Sequence, residues 1–427
     1  MWLLEIIGDK LDFRQYGGTK GNSLTHYLIE LLNFILYNQD FKEPTAVLAC
    51  LVDFSKAFNR QDHGILITKL SDMGVPSWLL KIVIGFLTNR KMILRYKGEE
   101  SSTKSLPGGG PQGTLLGLFL FLILINDLGF ENQTNNLGEI ITCKKELKNL
   151  NEIHLKYIDD ITFAESISMK NILDTVPIEN RPQPDTYHER TGHVLPPQNS
   201  KVYKMIEKTE QYALNNKMKI NYDKTKLMFF NPGTARDIKP RFVFNGEELE
   251  VVDETKLLGI IIRSDLSWSS QTTYMVKRAN RKLWMLRRLK RIGTKQNDLL
   301  DVYFKQVRSL LEPALQLWHP NLTAYDRNRI ERVQKSALSI ILGQDYKSYN
   351  KALKHFKLDS LFIRREQLCK NFAFKNQRSA KFSKWFKLNT KKTLTRGIPT
   401  KFCEVQARLQ RYQRSPISYL TQLLNNV

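Results

Sequence analysis

Asp53 and the pair Asp159-Asp160 are the residues of this 427-residue chain whose types and setting point most directly to chemistry. Asp53 follows the apolar run Ala46-Val47-Leu48-Ala49-Cys50-Leu51-Val52, and the pair sits between the strand-like runs Ile153–Tyr157 and Ile161–Ala164. A carboxylate beside apolar strands is costly unless a cation neutralises it. Converging carboxylates suit one or two hard divalent cations, and magnesium takes oxygen ligands from a few carboxylates plus substrate phosphates. Two such ions about 3.5–4 Å apart stabilise the attacking and leaving oxygens of an in-line phosphoryl transfer. The same residue types also serve as helix caps and turn acids. Spacing alone leaves both readings open.

These acids need elements to hold them. Leu24, Leu28, Leu31, Leu32 and Ile35 recur at a helical period, behind a glycine-rich loop that ends in the candidate N-cap Ser23. Residues 46–52 read as a buried strand, Ile65–Leu87 as helix broken at Gly74-Val75-Pro76, and Met92–Tyr96 with Ser102–Leu106 as a hairpin about Gly98-Glu99. The glycine loop Gly108–Gly113 feeds the apolar run Leu115–Ile125, whose eleven residues fall short of the roughly 20 that span a membrane. Asp159-Asp160 are placed at the turn between two strands. Lys201–Asn215 reads as helix, Lys226–Phe230 and Leu257–Ile262 as strands, and the chain beyond Tyr274 as basic helices. Residues 176–200 hold five prolines and read as a proline-rich insertion, an ordered excursion or a flexible loop.

The charge of +24 is unevenly placed. Residues 1–270 carry 32 basic and 33 acidic side chains, whereas 271–427 carry 34 and 9, a net of +25. Such asymmetry suggests that the C-terminal third grips a polyanion while the first part does something else. Val276, Ala279, Leu283 and Leu286 form an apolar helical stripe, and Lys277, Arg278, Arg281, Lys282, Arg287 and Arg288 occupy other faces. The four cysteines, Cys50, Cys143, Cys369 and Cys403, are too scattered for a Cys-x-x-Cys metal site or a disulfide framework. No signal peptide or membrane span is visible, so an intracellular chain, nuclear and cytoplasmic, is expected.

The motifs carry a resemblance. Asp53-Phe54-Ser55-Lys56-Ala57-Phe58 resembles motif A of reverse transcriptases, especially those of non-LTR, LINE-type retrotransposons. Pro107–Leu116 resembles motif B and Tyr157-Ile158-Asp159-Asp160 motif C. Lys219–Lys226 is similar to motif D, and Leu257–Ile262 with Leu266-Ser267-Trp268 to motif E and the entry to the thumb. Gln15–Ser23 resembles the family's finger-to-palm loop, and Tyr303–Gly343 the region after the thumb. The likeness covers most of residues 10–345 and keeps the family's order.

The resemblance implies an α+β right-hand polymerase. Residues 1–46 would be partial fingers, 47–262 a palm of antiparallel sheet and helices carrying motifs A to E, 263–345 a helical thumb and connection, and 346–427 a basic helical region. It implies RNA-directed DNA polymerisation: an RNA template, a DNA primer, dNTPs and two magnesium ions, or manganese, held by Asp53 and Asp159 with Asp160 in support. Phe54 would offer a backbone carbonyl near the metal. Phe58 would be the ring that excludes a ribose 2′-hydroxyl, against the plainer reading of core packing. Gln112 and Gly113 would line the nucleotide pocket, where glycine permits close backbone approach. Lys224 would protonate the leaving pyrophosphate, with Lys219 and Lys226 equal candidates by sequence and a solvated lysine the bland alternative. Lys277, Arg278, Arg281, Lys282, Arg287 and Arg288 would track template–primer phosphates.

The departures set further expectations. Nothing before Gln15 resembles the family's upstream finger motifs, no endonuclease segment precedes the polymerase, and no Cys/His knuckle follows it. A truncated element product is therefore expected, with the endonuclease supplied elsewhere or lost. The alternative to an active polymerase is a catalytically inactive, nucleic-acid-binding remnant.

Overall fold

A computed structural model describes residues 2–43, 45–106, 108–128, 151–168, 193–194, 200–231, 239–240, 242–244, 247–389 and 401–426. The chain divides into two compact units, residues 1–27 with 43–252 and residues 28–42 with 253–427. Helix α1 (Leu24–Gln39) opens in the first and continues in the second. Cys143, Pro107 and most of the proline-rich stretch lie outside the described residues.

The first unit is built on a six-stranded sheet. Its central strand β1 (Thr45–Val52) is buried along almost its whole length. Side chains on both of its faces are buried, which is why it reads as a continuous apolar run. On one side it pairs antiparallel with β7 (Asp160–Ser168), which pairs in turn with β6 (Glu152–Tyr157). On the other side it pairs antiparallel with β8 (Lys226–Phe230). Beyond β8 the order continues through β10 (Glu247–Val251), the one parallel neighbour, to β9 (Phe242–Phe244). The fold of this unit is thus α+β with an antiparallel-dominated sheet, as expected.

Helices complete the same core. Helix α2 (His63–Asp72) and helix α3 (Ser77–Leu87) are separated at Gly74, whose φ of +78° stops the first of them. Between α3 and the next helix, β2 (Arg90–Met92) pairs with β5 (Lys104–Leu106), and β3 (Arg95–Tyr96) with β4 (Glu99–Glu100). Helix α4 (Leu115–Leu124) is apolar all round and buried from Phe119 onward. Helix α5 (Lys201–Asn215) buries Val202, Met205, Ile206, Thr209 and Ala213, the stripe of an amphipathic helix. Its first turn is capped by Ser200 and by Glu165, which accepts the N–H groups of Lys201 and Val202 at 2.8 and 3.3 Å.

Two readings need correction. Asp160 is the first residue of β7, paired with Tyr157, and not a turn residue; the turn is Ile158-Asp159. Leu257–Ile262 is not one strand. It is the bend of a hairpin, β11 (Glu254–Leu257) and β12 (Ile260–Arg263), turned at Leu258 and Gly259 with φ of +50° and +88°. An apolar run gives no period by which to see such a turn, and Gly259 is its one sequence signal.

The second unit is helical beyond that hairpin. Helix α6 (Ser269–Arg291) buries Met275, Val276, Ala279, Leu283 and Leu286 and packs along α8 (Ala324–Leu342), which buries Ile330, Val333, Ala337 and Ile341. A short helix α7 (Gln296–Val302) lies between them in sequence. Helices α9 (Tyr349–Phe356), α10 (Leu361–Asn376) and α11 (Pro416–Asn425) follow, with α10 against α8 and α11. Trp385, Phe386 and Tyr412 are buried here, so they pack and do not offer free stacking faces. Among the described residues no helix is long and apolar enough to cross a membrane.

Candidate active site

The register of β1 and β7 brings the acids together. Val52 pairs with Ile161, so Asp53 and Asp160 leave the ladder as adjacent neighbours, with Asp159 one residue away. The electrostatics agree. Burial first, then the carboxylates of Asp159 and Asp53, push Asp160 up to about 6. Asp159 is also raised, chiefly by burial, with Asp53 adding to it. Like charges held together this way resist ionising unless a cation shares the site.

Among the described residues no group of three or more His, Cys, Asp or Glu side chains is drawn tightly enough to enclose a metal ion. The donor set nevertheless suits one. Three half-buried carboxylates stand on neighbouring strand ends, with the proton affinities of Asp159 and Asp160 raised, and a magnesium ion needs only one or two of them if phosphates complete its shell.

Asp53 is strapped by residues 219–225. Its N–H donates to Thr225 Oγ1 at 3.3 Å, its carbonyl accepts the N–H of Asn221 at 2.8 Å, and Ser55 N–H donates to the carbonyl of Lys219 at 2.8 Å. This strap separates three lysines that sequence left equal. Lys224 Nζ lies 3.9 Å from Asp53 Oδ2, while Lys226 is engaged by Glu250 and the carbonyl of Asp223. No contact between Lys219 Nζ and the acids is found among the described residues.

The turn Ile158-Asp159 is held from behind. Ile158 adopts φ +59°, a left-handed conformation that β-branched residues avoid. Its N–H donates to Gln15 Oε1 at 2.9 Å, and that oxygen also accepts the N–H of Gly17. Behind it, Lys156 and Asp12, 1% and 6% exposed, form an ion pair at 2.7 Å. Lys156 Nζ also donates to the carbonyls of Ile125 and Asn126, and Arg14 donates to both oxygens of Asp12. Sequence reasoning found the loop Gln15–Ser23 but not these tasks. The one available signal was a buried Lys in a strand.

The loops beside the acids are joined to each other. Gly110 N–H donates to the carbonyl of Phe58 at 2.7 Å, and Gly109 N–H to that of Gln61 at 3.0 Å. Arg90 donates to the carbonyls of Gly108 and Gly109, and His63 meets the Gly109 carbonyl at 2.9 Å. Gly109 has φ +78°, and a Cβ there would stand 2.9 Å from the Asn59 backbone, so no other residue fits. Phe58 stacks on Phe121 at 4.6 Å and is half-buried, while Phe54 is buried in a bridge to Ile220. Gln112 and Gly113 are exposed just before α4, which Thr114 caps.

In the other unit, Lys277, Arg278, Arg281, Lys282, Arg287 and Arg288 are all exposed on α6. Trp284, 59% exposed, stands among them with the Arg288 guanidinium 5.0 Å from its ring.

Known proteins are similar to this chain. The chain is 24% identical over 262 residues to the RNA-directed DNA polymerase from mobile element jockey of Drosophila funebris, covering 61% of this chain and 24% of that protein. It is 28% identical over 118 residues to a probable RNA-directed DNA polymerase from transposon BS of Drosophila melanogaster, covering 28% of this chain and 13% of that protein. The chain thus spans a quarter or less of these curated relatives' length. Among solved structures, telomerase from Candida tropicalis in complex with a TWJ fragment of telomeric RNA aligns over 87% of this chain and 49% of its own, at 11% identity and a TM-score of 0.41. Residues 3–262, well over half of the chain, match the profile described as reverse transcriptase (RNA-dependent DNA polymerase), and the chain belongs to that family.

Proposed function

We propose that this chain is the polymerase portion of a non-LTR retrotransposon protein and copies an RNA template into DNA from a primer 3′-hydroxyl. The observation that carries the reading is the meeting of Asp53, Asp159 and Asp160 at the shared end of β1 and β7, with the pKa values of Asp159 and Asp160 raised. Asp53 and Asp159 hold magnesium, or manganese, with Asp160 beside them. Bound there, the ions supply positive charge to the attacking and leaving oxygens of nucleotidyl transfer. The chain's own groups do the rest. Gln15 fixes the turn that presents Asp159. The strap from Lys219 to Thr225 fixes Asp53 and brings Lys224 to the same place, where its ammonium is the proton donor to the leaving pyrophosphate. Phe58, braced on Phe121, borders the sugar of the incoming dNTP, and Gln112 and Gly113 border its base.

In this reading the six-stranded sheet and its helices are the palm, and α6 with α8 belongs to the thumb. The basic face of α6 follows the phosphates of template and primer without reading sequence. The work is done inside the cell, in cytoplasm and nucleus, where RNA template and DNA target are met.

Primer extension tests it. Purified protein with an RNA template, an annealed DNA primer, dNTPs and magnesium should extend the primer, and Asp159→Ala should abolish extension while leaving template–primer binding intact. Binding without extension in the unaltered chain would instead identify a nucleic-acid-binding remnant.

A further inference from the structure

Gln61 is 1% exposed, and neither its carboxamide oxygen nor its carboxamide nitrogen has a hydrogen-bond partner. Unanswered polar atoms in a packed interior are destabilising, so stability does not account for a glutamine here. Its position does. Gln61 closes the short turn Ala57–Arg60 that carries Phe58. Its own carbonyl accepts the N–H of Gly109 at 3.0 Å, and the Phe58 carbonyl accepts that of Gly110 at 2.7 Å. Turn and glycine loop are thus joined at two points, and the Gln61 carboxamide is packed against Gly110.

The two glycines are required for different reasons. Gly109 has a left-handed backbone, and the Asn59 backbone bars a Cβ as well. Gly110 is not among the residues with positive φ. A Cβ there would overlap the Gln61 carboxamide oxygen and stand 2.9 Å from Cδ and 3.0 Å from Nε2. All three of its nearest atoms belong to the Gln61 side chain, so the need for glycine at 110 is created by Gln61. Phe58 is tied to the same segment a second time. Its ring stacks on Phe121 at 4.6 Å, and Phe121 lies on α4, the helix that the loop leads into. A loop that sank onto the turn would shift the Phe58 carbonyl and slide its ring over Phe121.

We infer that Gln61 is a positioning residue for sugar selection. Its carboxamide, wedged against Gly110, holds the glycine loop at a fixed distance from the Phe58 turn. That distance sets the gap that admits the sugar of the incoming nucleotide. The inference rests on the reading of Phe58 as the ring beside that sugar. Gln61 acts through Gly110 and the Phe58 carbonyl and meets no substrate itself. Its bulk carries the task, since its polar atoms bond to nothing.

The ratio of kcat/KM for a dNTP to that for the matching rNTP reads the gap. A general loss of folded protein lowers both values alike and leaves the ratio in place. Gln61→Ala should lower the ratio about tenfold, the scale on which a pocket responds to one misplaced small group. Gln61→Met keeps the bulk, so it should keep the ratio and melt no lower than the unaltered protein. Gly110→Ala should lower the ratio, and adding Gln61→Ala to it should restore much of the loss. An unchanged ratio in Gln61→Ala, an equal loss in Gln61→Met, or a double variant no better than Gly110→Ala overturns the inference. If Gln61→Ala does not fold, Gln61→Asn, which draws the carboxamide back by one methylene, carries the test with the same expected fall. Equilibrium binding of dNTP and rNTP to the complex with a dideoxy-terminated primer reads the same selection without chemistry. Selection there without primer extension rejects the polymerase reading, and the variants then decide the role of Gln61 by binding alone. No selection in the unaltered chain by either measure overturns the inference.

Discussion

Gln15 Oε1 accepts the N–H of Ile158 and the N–H of Gly17, each at 2.9 Å, and so ties the loop ahead of α1 to the turn that carries Asp159. The approach is close. A Cβ on Gly17 would stand 2.6 Å from the Ile158 side chain and 2.7 Å from its nitrogen. Ile158 is held at a φ it would not choose, and such strain persists where surrounding bonds over-determine it. The carboxylate position is therefore set from 143 residues away in sequence.

Gln15→Met keeps the volume and removes the acceptor. It leaves N–H groups without a partner at a cost of about 1–3 kcal/mol, read by chemical denaturation. The turn should then relax. The expected outcome in primer extension is a lower kcat at nearly unchanged primer–template affinity. A fall in affinity with kcat intact would mean that Gln15 shapes the nucleic-acid surface and not the acid.

Asp12 and Lys156 form the next support behind that turn. Removing one partner of a buried pair strands the other, at a cost of about 3–5 kcal/mol. Asp12→Asn should therefore unfold at clearly lower denaturant, and Asp12→Asn with Lys156→Met should recover much of the loss. Equal losses in the single and double variants would show that the pair's value lies in Arg14 and the Asn126 contacts.

The strand runs and the acids at their ends were legible because a central strand buried on both faces reads as unbroken apolar sequence. Helix α5 was read with the bounds it has, residues 201 to 215, and its buried stripe and Ser200 cap are why the chain is helical there. The rest was hidden for physical reasons. Leu257–Ile262 turns back on itself in a run with no polar residue to mark it. Lys224 is singled out from Lys219 and Lys226 only by the strap that crosses Asp53, a contact across 171 residues in sequence. The work of Gln15, Lys156 and Asp12 is tertiary, and a glutamine in a loop has no local signature of what it will hold.

Two histidines should make the protein acid-labile. His154 and His319 are each held down to about 3, first by burial. A histidine whose folded pKa lies below its unfolded value near 6.5 favours the folded state above that pH. The unfolded chain takes up its proton first as pH falls from 6.5 toward 3, so stability drops across that window. Each contributes at most about 1.4 kcal/mol per pH unit there. His154→Phe, which keeps a ring against Phe163, should flatten the stability–pH curve between pH 6 and 4, followed by melting temperature. An unchanged slope would assign the acid lability elsewhere.

The exposed face of α6 predicts the salt response. Tyr274, Lys277, Arg278, Arg281, Trp284 and Arg288 fall on one side of the helix by their three- and four-residue spacing. If that side follows a template–primer duplex, each lost phosphate contact lowers the slope of log K against log salt by about 0.9. Replacing Lys277, Arg278 and Arg281 together by Gln should weaken binding alike for unrelated sequences and cut the slope by about 2–3. Lys305→Gln, which removes an exposed lysine already paired with Asp301, is the control and should leave the slope where it was. Asp159→Ala should also keep the slope, because in the proposed function the acids carry the chemistry and the α6 face the holding. A slope that falls equally in the control would mean that the +25 acts as a diffuse field, with no track along α6.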